Sequence, residues 1–406
     1  MFSFSVQKQL ILWLSLVYVA INAIAIYNEF FWIALIPLAC MAIWMALFAP
    51  EKVFWLIVFF VPLSLNTDEF LTSAPMALFL PTEPLLFGLL VLILIWLFMD
   101  DVFDRAILRH PIFIIYVGVY INWMIITSLT SEDPVVSFKF TLAHLWLFLP
   151  VFLLGTHLFK NTKNIRMFIW CYSIPLLAVV TYTIINHAGY GFAEKPAHWV
   201  MSPFFKDHTS YGAILALLFP ALFSLYFIKD YTQLRKSIIV FLLLVLAAGI
   251  ILSYTRAAWI SLVGALGVWF VIYYRIRLAT LTLFLLGGLF FFLSFYDQIM
   301  INLAKNDTDS SDDIGKHIES ISNISTDASN LERLNRWDCA ITMFNQRPLT
   351  GWGPGTYQFY YASFQRPENL TIISTNFGDL GNAHSEFLGP LAETGLPGML
   401  IMIVLV

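Results

Sequence analysis

The stretch Ser237-Ile238-Ile239-Val240-Phe241-Leu242-Leu243-Leu244-Val245-Leu246-Ala247-Ala248-Gly249-Ile250-Ile251-Leu252-Ser253-Tyr254-Thr255-Arg256-Ala257-Ala258-Trp259 decides the class of this chain. The apolar run 237–253 approaches the length, about 20 residues, that carries a helix across a hydrocarbon core of roughly 30 Å. A second run, 257–274, starts directly after Arg256. The chain therefore crosses, turns on one membrane face and crosses back. An arginine at such a turn is expensive to bury and has to meet water, protein or an anionic lipid group. It reads in two ways, as a snorkelling anchor at a helix end or as a phosphate ligand whose planar guanidinium forks onto two oxygens.

Outward from this hairpin the pattern repeats. Comparable runs lie at 10–27, 29–48, 84–99, 111–129, 167–186, 209–228 and 279–297, with shorter ones at 53–65, 144–159 and 396–406. The composition agrees, being 59% hydrophobic and 12% charged with a mean hydropathy of +0.78, whereas a soluble domain carries about 25% charged residues. The expectation is an all-α polytopic membrane protein with about 12 transmembrane helices. It divides into a bundle over 1–297, a mostly helical external domain over 298–395, and the start of a final, truncated span at 396–406.

Charge fixes the expected orientation. With the N-terminus inside, twelve Lys and Arg fall in cytoplasmic loops, whereas short external loops hold only Lys139, Lys195, Lys206 and Arg256. Segment 298–395 then lies outside, in the periplasm of a Gram-negative cell. The first span can itself direct insertion. A net charge of −4 offers no basic nucleic-acid surface. Cys40 and Cys171 sit in spans and Cys339 in the external segment, without a CxxC, so neither a disulfide nor zinc is expected.

The external segment, close to 100 residues, is too long to be a connector and reads as a working part. Asn306 to Asn330 is rich in Asp, Ser and Asn and reads as a linker. Ser329 and Glu332 have capping-box spacing, and Leu331, Leu334, Trp337, Ile341 and Phe344 recur at helical intervals, which predicts an amphipathic helix over 331–345. Arg333 and Arg336, three apart, can address one anionic object; alternatively Glu332 pairs with Arg336. Gly351-Trp352-Gly353-Pro354-Gly355 demands a tight turn, and aromatics follow from Tyr357. Trp352 and Tyr357 are candidates for stacking on sugar rings, against the alternative of an interfacial belt. Residues 383–394 predict a short helix with Asn382 as N-cap, ended by Gly395-Leu396-Pro397-Gly398. His384 would lie in its first turn, where the helix's partial positive charge keeps an imidazole neutral and able to accept a proton. Lys206-Asp207-His208-Thr209-Ser210 is the densest polar cluster bordering an apolar run, with Lys206 suited to a lipid phosphate. Asp207 and His208 lack a third ligand at metal-binding spacing.

Three segments together resemble the O-antigen ligase and O-antigen polymerase superfamily. They are Ser253-Tyr254-Thr255-Arg256-Ala257-Ala258, the run from Arg333 through Trp337 to Arg347-Pro348-Leu349-Thr350-Gly351-Trp352-Gly353-Pro354-Gly355-Thr356-Tyr357, and Ala383-His384-Ser385-Glu386-Phe387-Leu388 with Glu393-Thr394-Gly395-Leu396-Pro397-Gly398. The resemblance covers roughly residues 200–400. It implies a GT-C-like membrane glycosyltransferase of the bacterial inner membrane, needing neither cofactor nor metal. Its donor would be a glycan on undecaprenyl pyrophosphate and its acceptor lipid A-core or another glycan. Arg256 matches the family's arginine thought to hold the carrier pyrophosphate, and His384 the histidine assigned to acceptor activation. Members often have a further arginine where this chain has Lys206. A single dominant external segment favours ligase over polymerase. The rival from another class is a transporter of lipid-linked glycans, which should show charged or broken helices at the bilayer midplane and a repeat of its halves. Neither is evident in the sequence.

Overall fold

The computed structural model describes residues 4–30, 33, 34, 36–67, 78–97, 109–295, 328–367, 370, 374 and 381–405. Among these, the regular structure is helical apart from two paired strands of two residues each, Leu65–Asn66 and Phe79–Leu80. The main helices are α1 (Phe4–Tyr27), α2 (Ile36–Phe48), α3 (Pro50–Phe60), α4 (Thr82–Leu97), α5 (Pro111–Leu129), α6 (Pro134–Leu158), α7 (Thr162–Ala188), α8 (His208–Tyr226), α9 (Gln233–Leu252), α10 (Arg256–Tyr273), α11 (Leu278–Ser294), α12 (Ala328–Gln346) and α13 (Leu388–Leu405). Seven of them, α5 to α10 and α13, are long and apolar enough to cross a membrane. Shorter apolar helices lie within α1, α2, α4 and α11.

Prolines and caps explain where the apolar runs and the helices part company. Within the run 29–48 the described residues include the 13-residue α2, with Pro37 in its first turn, where proline is tolerated. The run 53–65 becomes α3 plus a 3₁₀ turn at Val61–Leu63, where Pro62 cannot continue the α-helix. Conversely, the short candidate 144–159 is only the second half of α6. Asp133 caps that helix, accepting the Val136 N–H at 3.1 Å, and Pro134 occupies the first position, so it begins well before the apolar stretch.

Two packed cores hold the membrane bundle. One joins α7, α8 and α9 through Leu176, Val180, Leu215, Leu222, Ile239 and Leu246; the other joins α3, α4 and α6 through Val53, Leu89, Ile93, Leu149 and Leu153. A third core belongs to the segment between α11 and α13, expected from the sequence to be external, where Cys339, Ala340 and Met343 of α12 meet Tyr357, Tyr361, Ala383 and, from α13, Ala392. The predicted helix 331–345 is α12, and Ser329 lies inside it rather than at its cap. The predicted linker falls outside the described residues up to 327.

The glycine-rich loop docks this domain on the bundle. Trp352 N–H bonds to Ala392 O at 3.0 Å and Gly353 N–H to Glu393 O at 2.8 Å, while Glu132 N–H bonds to Trp352 O at 3.1 Å. Arg347 pairs with Glu132, so the α5–α6 turn and α13 grip the loop from two sides. Gly353 has φ 115, and a Cβ there would lie 2.0 Å from Ser131 Oγ, so only glycine fits. Helix α13 breaks at Gly395 (φ 69), where the sequence predicted a stop, and then resumes to Leu405. The break leaves no stranded backbone: Trp123 Nε1–H donates to Thr394 O at 2.8 Å, and Leu396 N–H to Pro348 O at 2.9 Å.

Candidate active site

His384 is not in a helical turn. Its φ is 48, and α13 starts four residues later at Leu388. Asn382 fails to cap the helix because its Oδ1 accepts the His384 N–H at 3.0 Å, closing a local turn instead. Capping passes to Ser385, whose Oγ accepts the N–H groups of Phe387 (3.3 Å) and Leu388 (3.1 Å). The helix-terminus argument for a neutral imidazole therefore falls. Neutrality has another source: partial burial first, then the positive charges of Arg336 and Arg333, hold His384 below the usual histidine range, against opposing pulls from Glu332 and Asp207.

Arg336 makes the direct contact. Its Nη1 donates to His384 Nε2 at 3.4 Å and to Asn382 O at 3.2 Å, and its Nε donates to Glu332 Oε1 at 2.9 Å. A guanidinium has no acceptor, so this contact is a hydrogen bond only in the tautomer whose Nε2 carries the lone pair and whose Nδ1 carries the hydrogen. Glu332 is buried and its other oxygen accepts from Ser374 Oγ. The alternative reading of α12, a Glu332–Arg336 pair, is thus the one realised. Arg333 stays on the exposed side of the helix.

The imidazole borders a cavity of about 540 Å³ between the external domain and the bundle. Its walls include Tyr120 of α5, His144 of α6, Gln358, Asn382, Glu386 and Glu393. Two carboxylates, two imidazoles and two amides can bind hydroxyl groups from either side of a hydrogen bond. Among the described residues no Arg or Lys lines it, so it suits an uncharged polyhydroxylated group better than a phosphate. Glu393 is fixed by the glycine loop, its Oε1 accepting the Tyr357 N–H at 3.1 Å. Neither His144 nor Glu393 is among the sequence-derived site residues, although His144, as an ionisable residue in a candidate span, carries a functional signal of its own.

Cationic groups gather elsewhere, at the 253–256 turn. Arg256 is the first residue of α10, half-buried, directly after its N-cap Thr255. Thr255 Oγ1 donates to His208 O at 2.8 Å, tying this turn to the start of α8. Gly212 permits that approach, since a Cβ there would come within 2.9 Å of Thr255. The tie brings Lys206, which is exposed, and the His198–His208 ring pair (4.1 Å between centroids) to the same end of the bundle as Arg256. Asp207 caps α8 through Ser210 N–H at 2.7 Å. Burial works to raise its carboxyl, but hydrogen bonds from Thr209 and Ser210 outweigh that and hold it low and ionised. Its charge is felt at His384, so the turn and the imidazole share one neighbourhood. Among the described residues, no three His, Cys, Asp or Glu side chains gather as metal ligands would.

The two aromatic candidates sit in the domain core. Trp352 donates Nε1–H to Met343 O at 3.0 Å, packs against Phe364 and Tyr360, and carries the Arg347 guanidinium 4.5 Å from its ring. Tyr357 is only 2% exposed, stacks on Tyr361 and donates its hydroxyl to Arg336 O at 2.7 Å. Both rings are committed to packing, and Tyr357 meets the cavity only along part of its surface.

Residues 240–403, which run from α9 through the external domain to α13, match the model of the O-antigen ligase family. No curated protein and no solved structure matches the chain.

Proposed function

We propose that this multi-pass membrane protein, which carries an O-antigen ligase domain at residues 240–403, transfers a glycan from undecaprenyl pyrophosphate to a sugar hydroxyl of lipid A-core. The observation that carries the reading is His384, an imidazole whose Nε2 faces the Arg336 guanidinium beside a cavity suited to hydroxyl groups. The acceptor sugar would occupy that cavity. Its oxygen attacks the anomeric carbon of the donor, and its proton passes to Nε2. The bond from that carbon to the pyrophosphate oxygen breaks, and its electron pair leaves with the pyrophosphate. A single displacement of this kind inverts the anomeric centre.

Pyrophosphate is a good leaving group, so the protein has only to steady its growing charge and take one proton. Arg256 suits the first task by its fork and by its place at a helix N-terminus, where the partial positive charge adds to its own. Lys206 and Arg333 add charge nearby. The site would face the periplasm, with about twelve spans in the inner membrane.

The test is transfer by purified protein in nanodiscs, supplied with a carrier-linked glycan and lipid A-core. General-base catalysis contributes roughly 10²- to 10⁴-fold, so His384→Ala and His384→Gln should both lose transfer on that scale while still binding donor. Gln keeps a hydrogen-bonding group but cannot take the proton. Near-normal transfer by the Gln variant would remove His384 as base. Elongation of carrier-linked glycan, with lipid A-core left untouched, would make the protein a polymerase of the same superfamily.

A further inference from the structure

We infer that Arg336, clamped by the buried Glu332, is a positioning residue that orients the His384 ring and reserves its Nε2 lone pair for the acceptor hydroxyl. This rests on His384 acting as the base. The geometry has three parts. Glu332 and Arg336 are both nearly covered, with 5% and 11% of their side chains exposed, so this ion pair differs from a surface i,i+4 pair. The guanidinium face lies over the Tyr361 ring at 5.3 Å, and Gly381 runs so close that a Cβ there would come within 2.5 Å of Nη1. The clamped guanidinium then reaches the His384 segment twice, at Asn382 O and at Nε2.

The consequence is chemical. A proton on Nε2 would set an N–H donor against a guanidinium N–H, and in the imidazolium also charge against charge, so the contact disfavours both protonated forms of Nε2 until an acceptor hydroxyl takes the place of the guanidinium. The 3.4 Å contact is also the longest that Arg336 makes here. An incoming hydroxyl can replace it at Nε2 while the bonds to Glu332 and Asn382 keep the guanidinium in place. Arg336 is thus a placeholder for the acceptor, distinct from the pyrophosphate ligands Arg256 and Lys206.

Two measurements test this. In ¹⁵N-histidine protein, with the His384 signal identified by its loss in His384→Ala, the nitrogen shifts should report the Nδ1–H tautomer; an Nε2–H tautomer would overturn the inference. In the transfer assay, the acid limb of the parent should lie below the ordinary histidine value near 6.5, because only the unprotonated ring is active. Arg336→Gln removes one depressing charge, so its limb should move to higher pH. Arg336→Lys keeps the charge and should leave the limb near the parent's, with a lower kcat because a point charge holds the ring less firmly. Arg333, Asp207 and the cavity's His144, Tyr120, Tyr357, Glu386 and Glu393 also face His384 and are untouched by these variants; Glu332 loses its partner in Arg336→Gln, so that variant is read beside Glu332→Gln/Arg336→Gln, in which no unpaired carboxylate is left. An Arg336→Gln enzyme that is slower but keeps the parent's acid limb would make the arginine merely structural. Should His384→Gln transfer normally, the function reading fails, and the tautomer measurement still decides this one.

Discussion

At the scale of single residues, the site separates two kinds of arginine. Arg336 is held by a buried partner and turned toward His384, whereas Arg256 starts a helix at the membrane face. A cation at a helix N-terminus opposes the macrodipole, which disfavours positive charge there by typically 0.3–1 kcal/mol. The position makes physical sense when an anion is brought to it, since the arginine and the N-terminal N–H groups then attract the same oxygens. Arg256→Lys retains the charge and loses the fork, so transfer should fall markedly, and Arg256→Ala should abolish most of it, both at unchanged membrane abundance. A Lys variant as active as the parent would reduce Arg256 to a snorkelling anchor. The sequence singles out Arg256 because it interrupts an apolar stretch, and His384 through the motif that carries the resemblance. It did not make Glu332 and Arg336 legible as a clamp, because i,i+4 spacing is the same for a solvated pair and a buried one, and only the fold decides which.

At the scale of elements, the glycine loop matters as the joint between external domain and bundle. Its hydrogen bonds to Ala392 and Glu393 and from Glu132 fix α13 against the α5–α6 turn, and the cavity lies along that joint. Gly353→Ala should therefore cost about 1–3 kcal/mol from the positive-φ backbone alone, with the collision at Ser131 added. Lower thermal stability in detergent, together with weakened transfer, is the expected result; an unchanged melting temperature would mean that the loop is not the joint. Element boundaries were legible wherever proline and a capping side chain act locally, as at Asp133-Pro134. The start of α13 was not. Asn382 and Ser385 are both good N-caps, and Asn382 spends its side-chain oxygen on the local turn at His384 while Ser385 caps the helix. The aromatic run after Gly355 stays open in the sequence for a related reason, since nothing local tells a ring stacked in a core, such as Tyr357 on Tyr361, from one left open for a sugar.

At the scale of the whole molecule, α6 links the site to the topology. Its 25 residues span roughly 37 Å at about 1.5 Å per residue, enough to cross the hydrocarbon core from end to end. Its first end, at Asp133, adjoins the Glu132 backbone that binds the external loop, so that end and the loop share one side of the membrane. Its last end leads into Lys160, Lys163 and Arg166, the kind of cluster that cytoplasmic loops retain. Contact thus sets the loop and the Lys160–Arg166 cluster at opposite ends of α6, and the charge bias predicts that the cluster's end is the cytoplasmic one. In a background with Cys40, Cys171 and Cys339 replaced, Ser363→Cys, exposed on the external domain, should react with an impermeant thiol reagent in intact spheroplasts. Lys163→Cys, exposed at the start of α7, should react only after lysis. The reverse pattern would invert the protein and turn the cavity toward the cytoplasm. Labelling of both positions from outside would break the link that α6 provides, and with it the assignment of one crossing to that helix.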